Sequence, residues 1–189
     1  VTNLVVLPTG TTGTRYFIVV ADSPHEWFET LETNNTFIST NSTIVSAADL
    51  TVTSVSASTN SARFGDSLTV TWVVRNGGSA PAGAAWRDRV YLSSTTGLTA
   101  QSLALPPDVA SGPLGASASY TNSATLTLPL EAGWVAGTYY LVVAADVNNT
   151  QAEANEANNL ASRSLSLTVP PLPDLVAADV RPPSLAVPG

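Results

Sequence analysis

The segment Leu68-Thr-Val-Thr-Trp-Val-Val-Arg75 contains the pattern that decides the fold class. Apolar side chains occur at every second position from Leu68 to Val74, and the positions facing the other way include Thr69, Thr71 and Arg75. Successive side chains of a β-strand point to opposite faces of the sheet, whereas a helix repeats about every 3.6 residues. The alternation therefore predicts a β-strand with one buried face.

Further strands are predicted on both sides of this segment. Asn76-Gly-Gly78 follows it and predicts a turn, because these residues tolerate positive φ. Gly137-Thr-Tyr139, at the start of the penultimate strand, is similar to a tyrosine corner. About seven strands, short β-branched runs and few helix formers indicate an all-β chain, folded as an immunoglobulin-like antiparallel β-sandwich. The other predicted strands cover residues 49–57, 86–93, a short stretch near Leu103, 120–128, 138–145 and 165–169.

The amino-acid composition excludes several classes of function. The 189 residues include no Lys, Cys or Met and one His, so Schiff-base, thiolate and multi-histidine chemistry lack their residues. The net charge of -7 opposes binding to nucleic acid, because phosphates are bound mainly by clustered basic residues. No apolar run approaches the roughly 20 residues of a membrane span, and the start at Val1 has no signal-peptide pattern. We therefore expect no nucleic-acid partner and no membrane span in this segment.

An internal repeat organises the chain. The segment Gly13-Thr-Arg-Tyr-Phe-Ile-Val-Val-Ala-Asp22 returns as Gly137-Thr-Tyr-Tyr-Leu-Val-Val-Ala-Ala-Asp146, at an offset of 124 residues. Asp49-Leu50 returns as Asp174-Leu175, at an offset of 125. Self-similarity at a fixed spacing is typical of tandem arrays, and the repeat here is about 125 residues long. The predicted domains are residues 1–47 as the C-terminal part of a preceding repeat, 48–171 as a complete repeat, and 172–189 as a linker and the first strand of a following repeat.

The incomplete repeats predict the first class of partner. Residues 1–47 read as three strands, and so few strands cannot cover their own apolar face. Neighbouring sequence or a partner molecule must supply the rest. The proline-rich junction Val169-Pro-Pro-Leu-Pro-Asp174 favours an extended, semi-rigid connector. We therefore expect neighbouring repeats or copies of the same chain as partners, with strand pairing as the means of assembly.

Four ordered motifs resemble the CARDB domain, a cell-adhesion-related domain found in bacteria. They are Thr69-Val-Thr-Trp-Val-Val-Arg-Asn-Gly77, Trp86-Arg-Asp-Arg-Val-Tyr-Leu-Ser93, Gly137-Thr-Tyr-Tyr-Leu-Val-Val and Glu153-Ala-Asn-Glu156-Ala-Asn-Asn159. The resemblance covers the complete repeat and part of both flanking fragments. It implies an immunoglobulin-like sandwich in tandem copies within large secreted or cell-surface bacterial and archaeal proteins. It does not imply an enzyme.

The connection before the last strand is rich in oxygen ligands in both copies. Ca²⁺ is bound by about six to eight oxygen atoms of a flexible loop, so these side chains are candidates for a calcium site. The spacing is not that of an EF-hand, because Gln151 and Ala157 occupy positions that need Gly and a bidentate Glu. Alternatively, the same side chains bond to the backbone and shape the loop. The candidates are Asp146, Asn148, Glu153, Glu156 and Asn158 in the second copy, and Asp22, Glu29, Glu32 and Asn34 in the first.

Charged side chains elsewhere read as structural. Glu153 and Glu156 are a conceivable carboxylate pair for glycoside hydrolysis. They lie in what reads as a polar, flexible loop with no apolar pocket to raise the pKa of either group, so we expect no enzymatic activity. Arg87, Asp88 and Arg89 alternate on one strand and read as a surface ion-pair ladder.

The tryptophans divide into two groups. Trp72 lies on the apolar face of its strand and is predicted to be core, and Trp86 is predicted to be packed. Trp27 and Trp134 lie in loop or turn segments and are predicted to be exposed. Exposed aromatic rings stack on sugars or serve as interface anchors.

The sequence predicts a non-catalytic structural and adhesive repeat of an extracellular bacterial or archaeal surface protein, stalk or filament. Its role would be that of a spacer and a self-assembly or display module. No cofactor is required, and calcium is considered as an ion that rigidifies the acidic loop. The alternative is an accessory module of a secreted enzyme that binds polysaccharide, with cell-surface or matrix glycan as its partner.

Overall fold

A computed structural model describes residues 4–8, 10–178 and 181, and only the backbone of Glu32. Within these ranges the chain is all-β, apart from one 3-10 turn at Glu32–Asn34. Among the same residues there is no helix of the length and apolar character that a membrane span requires. The strands are β1 (Gly13–Arg15), β2 (Ile18–Val20), β3 (Thr36–Ile38), β4 (Thr43–Val45), β5 (Leu50–Ala57), β6 (Ser61–Arg63), β7 (Ser67–Asn76), β8 (Trp86–Ser93), β9 (Leu103–Ser111), β10 (Ser119–Thr127), β11 (Gly137–Ala144) and β12 (Leu160–Thr168).

The strands from β5 onward form two sheets that share one core. The first has three strands in the order β10-β7-β5, and the second has five in the order β6-β12-β11-β8-β9. All neighbours are antiparallel except β6, which runs parallel to β12. Strands β1 to β4 form two separate hairpin-like pairs, β1 with β4 and β2 with β3.

The predicted alternation on β7 is confirmed. Leu68, Val70, Trp72 and Val74 are all buried, and the side chains between them are only partly covered. Across the core they meet apolar residues of the five-stranded sheet, among them Leu141 of β11. Burying the apolar side of each sheet in this way supplies most of the stabilisation of a domain of this size.

The strands differ from the predictions in four places. Residues 1–47 contain four short strands within the described part instead of three. The strand near Leu103 extends to Ser111, because it pairs with β8 along most of its length. Strand β6 was not predicted, since its three residues are too few to show a period. Of the predicted strand after Asp174, residues 179, 180 and 182–189 lie outside the described residues, and residues 174–178 form no regular element.

Trp134 is half-buried, so the prediction that it is exposed is wrong. Its ring packs against Phe64 and Tyr139, with centroids 5.3 and 5.6 Å away. The Tyr139 hydroxyl donates to the carbonyl oxygen of Val135 at 3.0 Å, four residues upstream, which is the bond expected of a tyrosine corner. Trp134 therefore closes one end of the core, whereas Trp27 is exposed as predicted.

Asp88 is fully buried, so the predicted surface ladder of Arg87, Asp88 and Arg89 is wrong. Its Oδ2 atom accepts hydrogen bonds from Trp72 Nε1 at 2.8 Å, the Tyr120 hydroxyl at 2.7 Å and the Ser111 hydroxyl at 3.1 Å. Asp88 faces the core because it shares the period of its buried neighbours on β8. Arg89 faces the other way and pairs with Asp108.

The buried carboxylate ties the two sheets together. Trp72 and Tyr120 belong to the three-stranded sheet, and Asp88 belongs to the five-stranded sheet. Burial, followed by the neighbouring Asp88 charge, raises the pKa of Tyr120 well above its ordinary value, which keeps its hydroxyl protonated as a donor. The bonds are directional, so they fix how one sheet lies on the other.

Replacing Asp88 by Ala is expected to lower the free energy of unfolding by about 3 kcal/mol, because the buried indole of Trp72 and the partly buried hydroxyls of Tyr120 and Ser111 would lose their acceptor. The matched control is Asp108→Ala on the neighbouring strand, which removes a partly exposed ion pair and is expected to cost about 1 kcal/mol or less. Urea denaturation of both variants measures the difference. Equal losses would contradict a core role for Asp88.

Candidate functional site: the acidic loop and the repeat joint

The acidic loop, residues 145–159, connects β11 to β12 and is shaped by Asp146. Its Oδ1 accepts from the backbone N–H of Thr150 at 2.9 Å, and its Oδ2 accepts from the N–H of Gln151 at 2.7 Å. The N–H of Asn149 donates to the Asp146 carbonyl at 2.8 Å. Asp146 and Asn149 have φ of 45° and 52°, values that short polar residues tolerate better than most others. Both oxygens of this carboxylate are therefore engaged by the loop itself.

The first copy builds the same loop 124 residues earlier. Asp22 accepts from the N–H of Glu26 at 2.9 Å and of Trp27 at 3.0 Å. Asp22 and His25 have φ of 43° and 55°. The N–H of Ala21 donates to the carbonyl of Asn35, as that of Ala145 does to the carbonyl of Asn159. Local backbone geometry thus explains why the aspartate occurs in both copies.

Glu153 is buried, with 1% of its surface exposed, so it does not lie in a solvated loop as the sequence suggested. Its Oε2 accepts from the backbone N–H of Leu50, the first residue of β5. Its Oε1 accepts from Asn159 Nδ2 at 2.8 Å. The carboxylate therefore bonds to the start of the first strand of the repeat and to the residue before its last strand.

Burial raises the pKa of Glu153 to about 7, although the bonds from Leu50 and Asn159 favour the ionised form. Among the described residues, Asn159 Oδ1 is buried without a hydrogen-bond partner. A protonated Glu153 can donate to this oxygen after rotation of the Asn159 amide, so the neutral carboxyl has a partner too. The expectation that no pKa in this loop would be raised is wrong.

The other predicted ligands have separate roles. Glu156 accepts from the N–H of Glu153 at 3.0 Å, and Asn158 Nδ2 donates to Asp49 Oδ1 at 2.9 Å. Asn148 is exposed. In the first copy Glu29 and Asn34 are exposed, and the side chain of Glu32 lies outside the described residues.

The described residues contain no group of three or more His, Cys, Asp or Glu side chains that could hold a metal ion. Asp146, Asn149 and Glu156 line one open depression of about 350 Å³. In this depression Glu156 accepts from the N–H of Glu153 and from the amide nitrogen of Asn149, which lies 2.8 Å from Glu156 Oε2. Calcium binding by this loop stays a prediction.

The acidic loop also forms one side of a joint that holds residues 47–50, the entry segment of the repeat. Asp49 is held through three groups: its N–H donates to Asn76 Oδ1 at 3.0 Å, its carbonyl accepts from the N–H of Gly77 at 2.7 Å, and its Oδ1 accepts from Asn158. The carbonyls of Ala47 and Ala48 accept from the N–H groups of Ala80 at 3.1 Å and Ala154 at 2.7 Å.

Two residues of the joint cannot be replaced without breaking its contacts, Asn76 because of its hydrogen bonds and Gly78 because there is no room for a Cβ. Asn76 is fully buried, and its side-chain nitrogen donates to the carbonyls of Ala80, Leu114 and Gly115. A Cβ on Gly78 would lie 2.3 Å from the carbonyl oxygen of Ala47, closer than atoms can approach. The Asn76-Gly-Gly78 motif was predicted only as a turn, and its function is to clamp the entry segment.

The fold and the joint define a β-sheet module whose first strand is locked to its own last loop. The sequence model of the CARDB family matches residues 47–163, and the chain belongs to the CARDB family. No curated protein matches the sequence significantly.

Solved structures similar to this chain include CARDB domains and parts of larger enzymes. The CARDB domain of a Pyrococcus furiosus protein in complex with di-metal ions is 21% identical, with 68% of this chain and 100% of that chain covered and a TM-score of 0.49. A solution structure of a CARDB domain from the same organism is also 21% identical, with coverage of 66% and 98% and a TM-score of 0.47. A β-glucosidase from Listeria innocua is 15% identical, with coverage of 68% and 17% and a TM-score of 0.39.

The raised pKa of Glu153 predicts a pH dependence of stability. Its folded-state pKa of about 7 exceeds the ordinary value of 4.5, so between these values the folded chain binds more protons than the unfolded chain. The free energy of unfolding should therefore fall as the pH rises through this window. Glu153→Gln keeps a neutral side chain and should flatten that part of the profile.

The matched control is Glu156→Gln, which removes a neighbouring carboxylate of the same loop. This variant should keep the fall in stability between pH 4.5 and 7. Urea denaturation across the pH range measures all three proteins. If the free energy of unfolding of the wild-type chain stays constant or rises through this window, the pKa of Glu153 is not raised in the folded chain.

Proposed function

We propose that the chain is a non-catalytic structural and adhesive repeat of an extracellular surface protein, stalk or filament. Its repeats are immunoglobulin-like sandwiches of about 125 residues arranged in tandem. Each acts as a spacer that holds the next repeat at a fixed angle and so displays the array away from its anchor. Neighbouring repeats and copies of the chain are its partners.

The observation that carries this proposal is the joint around residues 47–50. Each of these residues makes at least one hydrogen bond to the turn after β7 or to the acidic loop. A connector held at every residue has few free torsions, so it transmits orientation from one repeat to the next. A flexible linker between domains does not form such hydrogen bonds.

The next connector has the sequence features that the joint requires. Residues 172–175, Leu-Pro-Asp-Leu, stand 125 residues after Ala47-Ala-Asp-Leu50. Pro173 occupies the position of Ala48. Ala48 contributes only its carbonyl to the hydrogen bonds of the joint, and proline has a carbonyl too. Asp174 repeats the carboxylate of Asp49. The same joint can therefore form at a following repeat.

The use of the acidic side chains supports a structural rather than a catalytic role. Asp146 and Glu153 accept hydrogen bonds through both carboxylate oxygens. A general acid or base needs an oxygen that reaches the substrate. Membership of a cell-adhesion-related family supports the surface location.

Rigidity of the joint can be measured by the distance between two spin labels. The chain has no cysteine, so Thr40→Cys and Thr96→Cys place the labels on exposed sites before and after the joint. We expect one narrow distance distribution. Gly78→Ala should broaden it, because the added Cβ displaces Ala47 and breaks the joint.

Gly83→Ala is the control, since a Cβ there meets no atom within 4 Å, and its distribution should match that of the parent. A parent distribution that is already as broad as that of Gly78→Ala would overturn the rigid-spacer proposal.

We propose that the acidic loop keeps its shape without a metal ion. Each carboxylate oxygen of Asp146 and Glu153 already accepts a hydrogen bond that holds the loop, so adding calcium or a chelator should change the melting temperature by about 1 °C or less. Thermal denaturation in both conditions measures this. A saturable rise with calcium that disappears in Glu156→Gln would instead establish a rigidifying calcium site.

A further inference from the structure

The joint contains Asn76-Gly77, the only asparagine in the sequence that is followed by glycine. An asparagine before glycine loses its amide most readily, because glycine has no side chain to hinder the approach of its nitrogen. The Gly77 nitrogen bonds to Cγ of Asn76, the bond from Cγ to Nδ2 breaks, and ammonia leaves with the proton of the Gly77 nitrogen. Water then opens the succinimide ring and gives aspartate or isoaspartate.

The folded joint holds both reacting groups. The Gly77 N–H donates to the carbonyl of Asp49 at 2.7 Å. Asn76 is fully buried, and its Oδ1 accepts from the N–H groups of Asp49 and Gly78, each at 3.0 Å. Its Nδ2 donates to three backbone carbonyls. While these bonds persist, the Gly77 nitrogen cannot approach Cγ, and burial keeps bulk water away from both groups.

We propose that Asn76 is a site of spontaneous deamidation that is protected while the joint is closed and reacts when the joint opens. The joint is open when residues 47–50 leave the turn after β7 and the bonds of Asn76 and Gly77 are lost. The Asn76-Gly-Gly78 turn is then accessible to solvent, and the reaction needs water alone as its second reactant. This chemistry goes beyond the role of the joint as a spacer.

The product of the reaction cannot rebuild the joint. In an aspartate replacing Asn76, one oxygen keeps the two backbone donors of Oδ1, but the other faces the three carbonyl oxygens that now accept from Nδ2. An ionised carboxylate only accepts hydrogen bonds, so this buried oxygen has no donor there. Isoaspartate adds one carbon atom to the main chain and displaces Gly77 as well. A joint that has opened and reacted therefore stays open.

The test is the rate of deamidation at Asn76 at mildly alkaline pH, measured by mass spectrometry of the peptide that contains it. The parent chain unfolded in urea gives the rate of the unprotected sequence. In the folded parent we expect a rate at least about 100-fold lower, because several bonds must open together. Folded Gly78→Ala should react at least about ten-fold faster than the folded parent, because the added Cβ displaces Ala47.

Gly83→Ala is the matched control, since a Cβ there meets no atom within 4 Å, and it should react as slowly as the parent. Unfolded in urea, all three chains should react at one rate, because the substitutions act through the joint and not on the reaction itself. The proposal is overturned if the folded parent reacts at the unfolded rate. It is equally overturned if folded Gly78→Ala reacts no faster than the parent.

The urea dependence of the parent chain decides the matter if Gly78→Ala does not fold. The deamidation rate should rise at urea concentrations at which tryptophan fluorescence still reports a folded core, since the joint opens locally. A rate that rises only with the unfolding of the core would overturn the proposal.

The effect of the product is measured with the spin labels at Thr40→Cys and Thr96→Cys. Asn76→Asp should give a distance distribution as broad as that of Gly78→Ala. Parent chains that have deamidated, separated by their added negative charge, should give the same result. A narrow distribution in the deamidated chains would show that the joint closes again, which contradicts the proposed permanence.

Deamidation and spin-label distances separate this inference from the rigid spacer. A narrow distance distribution in a parent chain whose Asn76 reacts at the unfolded rate would disprove only the inference. A broad distribution in a chain whose Asn76 is protected would disprove only the rigid spacer.

Discussion

The hydrogen bonds of Glu153 join the two ends of the repeat. One carboxylate oxygen accepts from Leu50, where the first strand starts, and the other accepts from Asn159, just before the last strand. Leu50 and Glu153 are 103 residues apart in sequence, so the bond closes nearly the whole repeat. The position of the entry segment at the start of β5 depends on this contact, whereas Asp146 shapes the acidic loop.

The two buried carboxylates have complementary tasks. Asp88 lies between the sheets and fixes how one lies on the other, and Glu153 lies at the end of the fold and fixes where the chain enters. Neither has a basic partner among its hydrogen-bond donors, which are indole, hydroxyl, amide and backbone groups. A chain without lysine and with few arginines uses neutral donors to hold buried acids, and such bonds are directional.

Local periodicity in the sequence predicted the main strands, but it could not predict the hydrogen bonds of the joint. The alternation around Trp72 predicted β7, and residues 86–93 were predicted with the bounds of β8. Asp88 has the same period as the buried residues of that strand, yet its charge led to a surface assignment. The contact of Glu153 with Leu50 spans the repeat, and no local pattern shows it. The repeated aspartate allowed two interpretations, a calcium ligand or a side chain that bonds to the backbone, because sequence does not reveal which backbone N–H groups surround a side chain.

The joint holds its first two residues through their main-chain carbonyl groups. The carbonyls of Ala47 and Ala48 are the groups bound, and every amino acid has one. The side chain of Ala47 can therefore vary while its hydrogen bond stays the same, whereas Ala48 is buried in the core and has little room for a larger side chain. A substitution at Ala47 can thus alter the surface beside the joint without removing the backbone bond that holds the entry segment.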